Sequence, residues 1–75
     1  HLGHSPWIAP TAKVAPNARI TGASAIGPDC VVEGGAWLHD TILWNGVTIR
    51  AGSQLTRCIV TDHQTVSGNR IDRDF

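Results

Sequence analysis

Four histidines, two cysteines and three tryptophans hold most of the chemistry that this 75-residue chain could offer. A histidine beside a bound hydroxyl or amine can act as a general base, and His39 and His63 are the candidates for that work. Three or four converging ligands could instead hold zinc, and His1 and His4 complete the histidine set. The thiols of Cys30 and Cys58 can react, pair or pack, according to their exposure. Large aromatics left on a surface anchor partners, which directs attention to Trp37 and Trp44. Which of these options is open depends on the elements that carry the residues.

Those elements are set by a period of six. Aliphatic residues recur at Ile8, Val14, Ile20, Ile26, Val32 and Leu38, resume at Leu43, Ile49 and Leu55, and finish at Val60 and Val66. The steps from Leu38 to Leu43 and from Leu55 to Val60 are one residue short. Four places after an aliphatic stands a mostly small residue: Ala12, Ala18, Ser24, Cys30, Ala36, Val47 and Ser53, with Ile42 and Ile59 in that slot ahead of the skips. Six does not fit the 3.6-residue turn of a helix, and a single long strand cannot carry Pro10, Pro16 and Pro28 in its middle. Turn formers follow in the next slot, Asn17, Asp29, Gly35, Gly46, Gly52 and Asn69. Each hexad therefore reads as a short strand and a corner. A unit so short cannot bury its own apolar face and must stack on the next copy, the logic of a solenoid.

Three strands and three corners close one triangular coil, so the chain predicts about four coils starting near Ile8, Ile26, Leu43 and Val60. The interior ladders are then Ile8, Ile26, Leu43 and Val60; Val14, Val32, Ile49 and Val66; and Ile20, Leu38 and Leu55. In this register His39 points outward and His63 lies in a corner on another wall, so the two cannot share a metal ion, and no metal is expected. Metal found at His1 and His4 would point first to a purification tag or a crystal contact. Cys30 takes an interior slot, whereas Cys58 is expected to face outward from a corner. Their separate columns disfavour a disulfide, which points to a reducing compartment, the cytoplasm. Trp37 and Trp44 point outward and are expected at a subunit or domain interface, while Trp7 is placed to cap the open end of the prism.

The recurring aliphatic, turn former and small residue resemble the hexapeptide-repeat family. That resemblance implies an all-β fold, a single-stranded left-handed parallel β-helix, which departs from the usual right-handed crossover. The segment from Leu38 to Ile49 and the segment Leu55-Thr56-Arg57-Cys58-Ile59-Val60, each with its skipped step, are similar to the C-terminal β-helix of bacterial sugar-1-phosphate nucleotidyltransferases, the mannose-1-phosphate guanylyltransferase and glucose-1-phosphate enzymes. In those enzymes a separate N-terminal domain performs the chemistry with a glycine-rich phosphate loop, a lysine and metal-binding aspartates. Lys13 is the only lysine here, and no such loop follows a strand. The resemblance therefore implies an oligomerisation module that does not itself transfer nucleotides and needs no cofactor.

Composition narrows the remaining classes. Six basic and six acidic residues give a formal net charge of zero, without the basic footprint of a nucleic-acid binder. No apolar run approaches the ~20 residues of a membrane-spanning helix. Residues 1–6 are expected to be a tag remnant or N-terminal cap and residues 7–75 the β-helix domain; His1 in place of Met, with no Met anywhere, suggests a segment of something larger. The unpaired ladder edges of a short prism favour covering them by self-association, as a dimer or trimer about the β-helix axis, with an absent nucleotidyltransferase domain as a further partner. Two alternatives stand beside this assembly module. One is a minimal hexapeptide acyltransferase with His39 or His63 in an intersubunit cleft; the other is a stand-alone protein-interaction module.

Overall fold

The computed structural model describes residues 6–75; of the expected tag or cap at residues 1–6, residues 1–5, His1 and His4 among them, lie outside the described residues. Twelve short strands follow one another: β1 (Trp7–Ile8), β2 (Lys13–Val14), β3 (Arg19–Thr21), β4 (Ala25–Ile26), β5 (Val31–Val32), β6 (Trp37–His39), β7 (Ile42–Leu43), β8 (Thr48–Ile49), β9 (Gln54–Thr56), β10 (Ile59–Val60), β11 (Thr65–Val66) and β12 (Asn69–Ile71). Parallel pairing collects every third strand into one of three sheets: β1-β4-β7-β10 (sheet A), β2-β5-β8-β11 (sheet B) and β3-β6-β9-β12 (sheet C). The described chain contains strands and turns and no helix. It is an all-β solenoid of about four turns.

Register stacks like side chains on like. Ile8, Ile26, Leu43 and Val60 run down sheet A. Val14, Val32, Ile49 and Val66 run down sheet B, and Ile20, Leu38 and Leu55 down sheet C. The ladders from Ile26 to Val66 are buried, at about 1.5–3 kcal/mol for each large aliphatic side chain. In the first turn Ile8 is exposed and Val14 and Ile20 are only half-buried. At the other end Asp74 bridges to Ile59, and Phe75 packs against the core with its carbonyl accepting from Thr61 N–H at 3.1 Å.

The corners explain why the strands stop. Where the chain leaves sheet C, Gly22, Asp40, Arg57 and Asp72 stack with φ of 69°, 51°, 53° and 55°. Aspartate visits this left-handed region more readily than most residues. Arg57 has no such preference, and its guanidinium is held by the Asp72 carboxylate one turn on.

These same corners correct the sequence reading. Each skipped residue is removed from the corner between sheets C and A, ahead of the small interior slot. That slot is therefore occupied by Thr41 and Cys58, both fully buried, and Ile42 and Ile59 turn to the outer face of sheet A. Cys58, expected to face solvent, instead continues a buried polar column with Ser24 and Thr41. Thr41 Oγ1 donates to the carbonyls of His39 (3.0 Å) and Leu55 (3.3 Å), and Cys58 Sγ to those of Thr56 (3.5 Å) and Arg70 (3.4 Å). The last corner is shorter again, so Asn69, expected to turn the chain, enters β12. Arg70 then takes the register position next to Leu55 and donates from Nε to the Ser67 carbonyl at 3.0 Å.

Candidate functional site

With its interior filled, the solenoid can meet other molecules only with its ends and its three outer walls, and the walls differ. Alternation along each strand sends the residues flanking a ladder position outward. Sheet A presents the column Trp7, Ala25, Ile42 and Ile59, with no charged residue until Asp74. Trp7 is 57% exposed, Ile59 41%, and Trp44, just beyond β7 on the same side, 50%. Trp44 is anchored through its backbone: its N–H donates to Val60 O at 2.9 Å and its carbonyl accepts Cys30 Sγ at 2.8 Å. Gly27 permits that approach, since a β-carbon there would stand 2.5 Å from the Trp44 carbonyl oxygen. Trp7, expected to close the open end, projects from the wall instead and leaves Ile8 exposed.

Sheet B shows mixed charge. Lys13 and Val31 precede Thr48 and Thr65 in one column, and Arg50 pairs with Glu33 at 3.3 Å across turns. Such an exposed pair contributes little.

Sheet C carries two outward columns, Arg19, Trp37, Gln54 and Asn69, then Thr21, His39, Thr56 and Ile71. Trp37 donates its indole N–H to Thr21 Oγ1 at 3.0 Å, and the same hydroxyl lies 2.9 Å from His39 Nδ1. His39 Nε2 faces Asp40 Oδ2 at 3.4 Å, and Asp40 Oδ1 accepts the Ala23 N–H at 2.8 Å. On the previous turn the Arg19 guanidinium lies 4.7 Å from the Trp37 ring centre, a cation–π distance. A groove of about 190 Å³ opens on the following turn, lined by Trp37, His39, Gln54, Leu55 and Thr56.

The sequence-derived candidates are therefore separated. Trp37 and Trp44 lie on different walls, C and A. His39 belongs to sheet C, while His63 sits in a corner after sheet A, its ring over Gly46. Among the described residues no three His, Cys, Asp or Glu side chains gather to hold a metal ion. Cys30 and Cys58 are both free and buried, and burial pushes the Cys30 thiol up. Reading outward from single aliphatics missed Ile42, Ile59 and Thr21. The signal that finds them is the position immediately before or after each ladder residue, once the skip is placed in the corner.

A parallel three-sided solenoid with short repeated turns defines a class of protein by its fold. Within it, residues 3–73 match the family model described as the GMPPB C-terminal domain, and the chain belongs to that family. It is a C-terminal module of the sugar-1-phosphate nucleotidyltransferase type. No curated protein and no solved structure matches the chain. No helix among the described residues is long and apolar enough to cross a membrane.

Proposed function

We propose that this chain is a non-catalytic assembly module that joins copies of its parent polypeptide, as a dimer or trimer, through the outer face of sheet A. The observation that carries this reading is the apolar column of Trp7, Ala25, Ile42 and Ile59, flanked by Trp44. Contiguous exposed apolar surface rimmed by polar residues is characteristic of protein interfaces, and tryptophan is the residue most enriched among their energetic anchors. The free, buried thiols suit a cytoplasmic location. An acyltransferase reading is less well supported, because His39 Nδ1 is already engaged by Thr21 Oγ1 and His63 lies in a separate corner over Gly46.

Light scattering on the 75-residue chain tests the proposal. A defined oligomer is expected, which Trp44→Ala weakens and Ile59→Glu dissociates, while Trp37→Ala leaves it intact. A chain that is monomeric at every concentration, or an oligomer indifferent to both sheet A changes, overturns it.

A further inference from the structure

The groove on sheet C has a different chemistry from the wall of sheet A. Its aromatic side chain is fixed before any ligand arrives. The chain from Ala23 N–H through Asp40, His39 and Thr21 to the indole of Trp37 runs across two turns and ends in the backbone. A side chain already ordered loses little freedom when a ligand binds it. Arg19 covers the ring from the preceding turn, and the groove lies toward the following one, where Gln54 is the register neighbour of Trp37.

The lining identifies the kind of ligand. It offers one aromatic plane, with Trp37 40% exposed, an amide from Gln54, a hydroxyl from Thr56 and an imidazole from His39, above the buried Leu55. None of the five lining residues is Lys, Arg, Asp or Glu. A phosphate or carboxylate would find no lining cation, and an ammonium no lining carboxylate. The groove offers one aromatic face, whereas enzymes that hold an extruded nucleobase stack it between aromatic or apolar side chains on both sides. The fitting ligand has an apolar face and a rim of neutral hydroxyl groups, which describes a sugar ring: its C–H groups lie on the indole while its hydroxyls exchange hydrogen bonds with amide and hydroxyl. A volume of about 190 Å³ is below the roughly 300 Å³ at which drug-sized sites begin, so a single ring is accommodated.

We propose that the Trp37 groove on sheet C is a binding subsite for one neutral pyranose ring, stacked on Trp37 and hydrogen-bonded by Gln54 and Thr56. The proposal is independent of self-association through sheet A.

The test is a nuclear magnetic resonance titration of the ¹⁵N-labelled chain with the methyl α-glycosides of glucose, mannose and galactose. Glycerol serves as a polyol control and guanosine as a base control. Trp37→Phe assigns the Trp37 indole resonance. The expected result is a saturable shift of the Trp37 indole and the Gln54 amide with a millimolar dissociation constant for at least one glycoside, and an unmoved Trp44 indole. Gln54→Ala, an exposed change that leaves Trp37 in place, is expected to weaken binding about fivefold, the equivalent of one hydrogen bond. Trp37→Ala is expected to abolish it. No saturable shift at Trp37, equal shifts with glycerol, or saturation by guanosine without any glycoside overturns the proposal. So does undiminished binding in a folded Gln54→Ala variant.

Discussion

Sheets A and C both carry tryptophan on the outside of the same solenoid, yet the two walls prepare Trp44 and Trp37 differently. On sheet C the indole N–H of Trp37 is bound by Thr21, and its ring is backed by Arg19. On sheet A, Trp44 is fixed through its backbone and stands beside an aliphatic column. Polar tethering holds one aromatic plane at a defined angle, which suits a small ligand. An aliphatic surround provides area without direction, which suits a second protein surface. One repeat thus yields two kinds of surface, because the interior ladders constrain only alternate positions.

Three changes sharpen or break this contrast. The largest effect is expected from Gly27→Ala beneath sheet A, where the added β-carbon would stand 2.5 Å from Trp44 O and 2.8 Å from Leu43 O. Backbone must move, so a loss of about 1–3 kcal/mol, typical of overpacking, should appear in urea unfolding, together with a displaced Trp44 indole resonance. An unchanged midpoint would show that Gly27 does not position this wall.

Thr21→Val on sheet C should have a smaller effect on stability, about 0.5–1.5 kcal/mol for a lost hydrogen bond. Its clearer signature is local: the Trp37 indole proton should exchange faster with solvent while the Trp44 indole is unaltered. Equal changes at both tryptophans would mean that the walls are not independent.

The smallest effect belongs to the corner pair Arg57–Asp72, which touches neither tryptophan. The hydrogen bond from Arg57 holds the Asp72 carboxyl below the ordinary carboxylate range. A depressed folded-state value means that the pair's stabilisation is present above the unfolded carboxyl pKa, about 3.9, and is lost as pH falls through the folded value. As the pH falls from about 5 into the acid range, the melting temperature of Asp72→Asn should therefore fall slightly less than that of the parent chain. Because both groups are exposed the difference is small, and an identical acid profile would remove the pair from the account.

Much of the fold was legible because a stacked coil repeats its environment: every sixth residue meets the same interior, so aliphatics from Ile26 to Val66 mark the ladders. The position of each skip was not legible. Leu38 to Leu43 contains one residue too few, but the spacing alone does not say whether the corner or the strand loses it. Removing it from the corner moved Cys58 inside and Ile42 and Ile59 outside, and with them the composition of the sheet A wall. The short final corner at Gly68, φ 84°, likewise brought Asn69 into a strand.

The sequence by itself determined that this chain coils, where its core runs and that its formal net charge is zero, since hydrophobic period and net charge are properties of residue order and composition. Only the tertiary structure decided which residues share a wall. Thr21, Trp37 and His39 meet because parallel pairing sets Thr21 beside His39, and Trp7, Ala25, Ile42 and Ile59 align because each turn settles on the carbonyls of its neighbour. Side chains on adjacent turns lie about 4.8 Å apart in space while seventeen or eighteen residues apart in sequence, and only the closed coil converts one separation into the other.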